Sequence, residues 1–208
     1  MTDPDPWSAA FAEAAGWFVA TAARAGGRWD DPGLGVWTVR DLVGHTARAL
    51  LTIETYLQPV PGEVETSSPQ DYLTRVLRGA GDPAAVAQRG RDAGAALGPD
   101  PAAAIAEVAA RVVPLVAAAG PDAFVRTPAG GMLLAAYLPT RTLELVVHTC
   151  DLAVALGLAP DPPPAAASAA AALVGTLAAA TGRAGDLLLA ATGRRPLPAG
   201  WSVLAVDG

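Results

Sequence analysis

The sequence contains two histidines, and each sits in a stretch of helical periodicity beside other polar side chains. In 38-TVRDLVGHTARALLTIETYL-57, Asp41, His45, Arg48 and Thr52 are separated by 4, 3 and 4 residues. At about 100° per residue they fall within an arc of about 60°. That arc borders an apolar sector of Leu42, Val43, Leu50, Ile53 and Leu57. In 139-PTRTLELVVHTCDLAVALG-157, Arg141, Glu144, His148 and Asp151 follow at 3, 4 and 3 residues and share one narrow stripe. The rest of that helix is apolar nearly all round, which is the pattern of a buried helix. Its charged stripe must therefore pair internally, face a cavity or bind something, because a buried unpaired charge is costly.

Glu144 and His148 stand at i and i+4, so their side chains stack on one helix face. Together they form a workable half-site for a divalent metal, and His45 from a facing helix would complete a two-histidine, one-carboxylate set. Three protein ligands leave a coordination position open, as in catalytic zinc sites, and the same set suits iron or nickel. Spacing alone leaves two plainer readings open. Glu144 and His148 could form an ordinary surface pair, and His45 could be a core-border histidine with a satisfied hydrogen bond. Cys150 follows His148 by two residues, about 200° round the helix, and is expected to be a small buried apolar residue.

The elements that must position these residues are marked by caps. Asp5-Pro6, Ser68-Pro69, Asp82-Pro83 and Asp100-Pro101 each place a capping side chain before a proline at the first helical position. Thr38 and Asp41 resemble a capping box, with Trp37 before them as a hydrophobic staple. Glycines at 26, 79, 98, 120 and 157 mark helix ends. Helices are expected over 6–24, 39–57, 69–78, 83–97, 101–119 (kinked at Pro114), 139–156, 165–181 and 185–192. Residues 124–133 are expected to form a small hairpin or an irregular loop, and 194–208 an extended tail. The five tryptophans are expected to serve mainly core and cap packing. The expected fold is an all-α four-helix bundle with short inserted helices. It forms a single domain over 1–208, with its core at about 6–157 and C-terminal helices and tail at 158–208.

Composition agrees and excludes several functions. Of the 208 residues, 52% are hydrophobic and 16% charged, ample for a buried core, with Ala supplying much of the apolar count. The net charge is −6 and lysine is absent, a poor basis for binding nucleic acid. One Cys excludes a disulfide framework. The start, MTDPDPW, lacks the pattern of a secretory signal. The Ala-rich stretch 165–180 lacks the density of large apolar residues that drives membrane insertion. A cytoplasmic protein without a membrane or nucleic-acid partner is expected, and a homodimer is left open. No P-loop, dinucleotide fingerprint, G-x-S-x-G, H-E-x-x-H or C-x-x-C is present.

The segments WTVRDLVGHTARAL and PTRTLELVVHTCDLAVALG together resemble the mycothiol-dependent maleylpyruvate isomerase family, a member of the DinB-like superfamily of four-helix bundles. The tail LLLAATGRRPLPAGWSVLAV resembles the end of its shorter, single-domain members. The resemblance implies that His45, Glu144 and His148 are ligands of a divalent metal, most often Zn2+, with Ni2+ or Fe2+ as alternatives. Arg141 and Asp151 match positions beside the metal, and Asp151 is assigned a role in supporting a ligand or pairing helices. Arg141, Asp151 and Arg48 are the catalytic candidates. Two-domain members carry a further α/β domain that helps bind substrate carboxylates. Residues 158–208 look helical or coiled, so that domain is expected to be absent and maleylpyruvate isomerisation itself is not expected. The implied chemistry is activation of a low-molecular-weight thiol, since a metal lowers the pKa of a bound thiol or water. The lysine-free, Ala- and Arg-rich composition resembles that of a GC-rich actinobacterial genome, where mycothiol would be the thiol. The expected function is S-transfer to, or isomerisation of, a small electrophile. A metal-dependent hydrolase and a non-catalytic protein that sequesters a small molecule are the alternatives.

Overall fold

A computed structural model describes residues 6–79 and 82–205. Among them are eight α-helices and one hairpin. The helices are α1 (Pro6–Ala22, continued by a 3-10 turn, Ala23–Ala25), α2 (Val39–Tyr56), α3 (Pro69–Arg78), α4 (Pro83–Ala96), α5 (Pro101–Ala119), α6 (Leu134–Ala155), α7 (Pro164–Ala180) and α8 (Ala184–Ala191). Strands β1 (Phe124–Thr127) and β2 (Gly130–Leu133) pair antiparallel between α5 and α6. The fold is all-α, a DinB-like bundle as expected.

Helices α1 and α2 each pack against both α5 and α6, which makes these four the bundle. Phe11 and Phe18 of α1, Leu42, Leu50 and Ile53 of α2, Ile105 of α5 and Leu138, Leu145 and Leu152 of α6 are almost fully buried in its core. Helix α4 packs on α2, α3 on α6 and α7, and α7 on α1 and α6. α5 is the one described helix long and apolar enough to cross a membrane. It buries Ile105, Ala109, Val112 and Val116, and it packs between α1 and α2.

The caps form as the sequence indicates. Thr38 Oγ1 accepts from the Asp41 amide at 3.2 Å, and the Asp41 carboxylate accepts from the Thr38 amide at 3.1 Å, a complete capping box. Ser68, Asp82 and Asp100 cap α3, α4 and α5, each ahead of a proline. The expected cap at Asp5 lies outside the described residues, as do 206–208 of the tail. The described part of the tail forms turns and irregular coil, with Trp201 half-buried.

One expected boundary is corrected, and one open alternative is decided. Helix α6 begins at Leu134, and Pro139 lies inside it. No side chain caps this start. The Leu134 and Ala135 amides instead donate to the carbonyls of Ala123 and Pro121, at 2.7 and 3.0 Å. A cap built from distant backbone leaves no sequence signal. Residues 124–133 are an ordered hairpin with Pro128 and Ala129 at its turn, which settles the choice between hairpin and loop. The segment after α2 lies against this hairpin: the Gly131 amide donates to Glu65 Oε2 at 2.8 Å, and Leu57 bridges to Val125.

The crossing of α2 and α4 depends on glycine. A Cβ at Gly44 would stand 2.2 Å from the Gly94 amide nitrogen, and one at Gly94 would stand 2.9 Å from the Asp41 Cα. Gly44→Ala is therefore expected to destabilise the chain by about 1–3 kcal/mol through forced separation of two backbones. Gly175→Ala, where an added Cβ meets nothing within 4 Å inside α7, should raise stability by about 0.5–1 kcal/mol. Thermal unfolding of both variants checks the contrast, and equal shifts would refute the close crossing.

Candidate metal centre

Helix α2 supplies His45, and α6 supplies Glu144 and His148 one turn apart. One ligand atom from each lies within 4.8 Å of the other two. The His45 and His148 rings meet edge-on, with centroids 4.9 Å apart. His148 is held from both sides. Its Nε2 lies 3.2 Å from Glu144 Oε2, and its Nδ1 lies 3.1 Å from Asp151 Oδ2. The spacing of three and four residues thus places one imidazole between two carboxylates on its own helix.

The titration behaviour follows from these contacts. Burial opposes charge on His148, but the hydrogen bonds to Asp151 and Glu144 outweigh it and raise the imidazolium pKa to about 9. Burial would also raise Glu144, yet the His148 hydrogen bond and the Arg141 charge hold its carboxyl down at about 2. His45 shows the opposite balance. Desolvation, followed by repulsion from His148, lowers it to about 4, so it is neutral and available as a ligand. Its Nδ1 is buried without a hydrogen-bond partner among the described residues. An orphaned imidazole nitrogen, an ionised carboxylate and a second imidazole fit a divalent metal ion.

Neighbouring groups fix the donors. The Trp37 indole stacks on the His45 ring at 4.5 Å between centroids, tilted by 33°. Its Nε1–H donates to the Ala87 carbonyl of α4 at 2.9 Å. Trp37, expected as a staple, thus braces a candidate ligand against a neighbouring helix. It is accommodated by Gly90, where a Cβ would stand 2.4 Å from the indole. Beneath Glu144, the Arg141 guanidinium is 9% exposed and lies over the rings of Tyr137 and Tyr72, at 4.8 and 5.4 Å. Its Nε donates to Thr140 Oγ1, and Tyr137 donates in turn to Thr52 of α2 at 3.0 Å.

A cavity of about 500 Å³ opens beside the cluster. His45 and Glu144 reach it, together with Arg48, Arg141, Tyr72 and the hairpin turn. Of the three catalytic candidates, Arg48 and Arg141 line this cavity, whereas Asp151 contacts the other side of His148. Asp41, which shares the His45 stripe, is committed to the α2 cap. Cys150 is half-buried rather than buried, with its thiol pKa raised by burial and by Asp151, and it is not part of the cluster. Sequence spacing did not single out Tyr72, Tyr137, Arg75 or Arg89. Tyr72 and Arg75 come from α3 and Arg89 from α4, which share no register with either histidine. Tyr137 continues the α6 stripe four residues before Arg141, but it precedes the expected helix start at 139.

Fold and cluster together define a DinB-like helical bundle with a site able to hold a metal ion. The family model of the mycothiol maleylpyruvate isomerase N-terminal domain matches residues 9–153, and the chain belongs to that family. No curated protein and no solved structure matches the chain.

These pKa shifts set the pH response. The raised pKa of His148 gives stability that is complete below its ordinary 6.5 and lost as pH rises through about 9. The lowered pKa of His45 gives stability that is complete above 6.5 and lost as pH falls through about 4. The metal-free chain should therefore be most stable near pH 6.5, as denaturant unfolding across the range would show. Zinc must displace the proton on His148, so its affinity should rise about tenfold per pH unit towards pH 9. A pH-independent affinity in chelator competition would exclude His148 as a ligand. Asp151→Asn should weaken zinc binding about 10–100-fold, because the His148 ring loses its anionic anchor.

Proposed function

We propose that the chain is a metal-dependent enzyme that brings a low-molecular-weight thiol, mycothiol in the first instance, to a small electrophile for S-transfer or isomerisation. The observation that carries this reading is the convergence of His45, Glu144 and His148 beside a cavity large enough for a small molecule. Membership of the mycothiol maleylpyruvate isomerase family supports the choice of thiol. In this reading the three residues hold a divalent ion, most simply Zn2+, whose charge favours the thiolate form of a thiol near neutral pH.

The chain's own residues supply the rest. Asp151 fixes the ring of His148 so that Nε2 faces Glu144. Trp37 stacks on His45, and the His148 hydrogen bond together with the Arg141 charge keeps Glu144 ionised. The hairpin turn and Tyr72 form part of the cavity wall. A cytoplasmic setting belongs to the same proposal, because thiols are kept reduced there.

His148→Ala should abolish both metal content and turnover while leaving helicity intact, since the bundle core does not depend on this side chain. Cys150→Ser should retain both, because the thiol lies outside the cluster. The assay incubates zinc-loaded protein with small electrophiles, with and without mycothiol, and follows conjugates or isomers by mass spectrometry. Thiol-independent turnover would replace this reading with a hydrolase. Tight binding of a small molecule without turnover under any thiol would replace it with a sequestering protein.

A further inference from the structure

The cavity beside the cluster holds more positive charge than the protein itself uses. Arg48, Arg75, Arg89 and Arg141 line it, against one carboxylate, Glu144. The chain as a whole carries a net charge of −6, so this concentration runs against its composition. Two of the four arginines are already engaged. Arg141 is buried over two tyrosine rings beside Glu144, and Arg75 pairs with Asp71 at 2.9 Å. Arg48 and Arg89 have neither an ion pair nor a side-chain hydrogen bond among the described residues. Both line the same cavity as His45. They project from α2 and α4, the two helices locked together at Gly44 and Gly94.

We propose that Arg48 and Arg89 form an anion-binding end of this cavity, and that its ligand is a small organic molecule bearing a carboxylate or phosphoryl group. A guanidinium presents a planar fork of donors that matches either group and holds it in a fixed orientation. A local positive field in an acidic protein also draws such a ligand to the site while the surrounding surface repels it. The ligand is thereby held by its charged end, which leaves its remainder free to reach the cluster. This assignment rests on the cavity being the substrate site, but it requires neither thiol nor turnover.

The test titrates the full chain, zinc-loaded and zinc-stripped and without thiol, with succinate, inorganic phosphate and neutral succinamide, by calorimetry. Succinate or phosphate should bind at least about tenfold more tightly than succinamide in both zinc states. The stronger of the two anions identifies the group the site takes. Arg48→Gln/Arg89→Gln should erase the preference. Arg48→Lys/Arg89→Lys should retain part of it, and Arg91→Gln, a charge change at a residue outside the cavity, should leave it intact. Equal binding of anion and amide, no binding of either anion, or a preference that survives Arg48→Gln/Arg89→Gln would overturn the proposal. The wild-type comparison of succinate with succinamide stands even if a variant fails to fold. Failure of thiol turnover would not alter any of these results, and loss of anion preference would leave the thiol reading standing.

Discussion

A charged stripe half-buried in the wall of a bundle forces its members to satisfy one another, Arg141 being buried and Glu144, His148 and Asp151 partly so. On α6, Arg141, Glu144, His148 and Asp151 lie along a helix whose other faces carry Leu143, Leu145, Val146 and Leu152 into the core. The imidazole between two carboxylates is the arrangement that makes this tolerable, because each charge finds an opposite charge within one helical turn. Arg141 completes the balance beside Glu144, with aromatic faces in place of water. The remaining constraint concerns His45, which enters from α2 without a compensating carboxylate of its own and stays neutral. A cluster of one neutral imidazole and one carboxylate-clamped imidazole is thus a consequence of where α6 is buried. Its capacity for a metal ion comes from the same arrangement.

Much of this was legible in the sequence because it depends on spacing along single helices. The 3, 4 and 3 residue intervals of α6 and the 4 and 3 intervals of α2 identify which side chains share a face, and a bundle must turn such faces inward. The Ser, Asp and Thr caps are local signals, so the helix starts at Val39, Pro69, Pro83 and Pro101 could be placed closely. The start of α6 could not, since its cap is made of carbonyls from the preceding loop. Nor could Trp37 be assigned to His45, because their contact requires α4 to seat the indole at Gly90. Arg75 and Arg89 were equally silent: they reach the cavity from α3 and α4, and only the packing of these helices around α2 and α6 brings them together.

The glycines of α2 and α4 link packing to chemistry. Gly44 precedes His45 directly, and its lack of a side chain lets α4 approach until Gly94 meets the backbone of α2. That approach carries Arg89 to the cavity and the Ala87 carbonyl to the Trp37 indole. A helix that looks peripheral, rich in Ala and Gly and largely exposed, therefore determines the surroundings of a candidate ligand.

The borrowed cap of α6 has a consequence for how the molecule opens. A helix with its own capping side chain can keep its first turn while neighbouring loops move. α6 cannot, because its first amides belong to the carbonyls of Pro121 and Ala123 at the base of the hairpin. The same hairpin brings Pro128 and Ala129 to the cavity wall and ties down the segment after α2 through Glu65. Hairpin and ligand helix are thus coupled through these backbone hydrogen bonds. Lifting the hairpin base to admit a bulky molecule would fray α6 from Leu134, about two turns from Arg141. Entry by that route costs order in the wall that carries two of the three cluster residues.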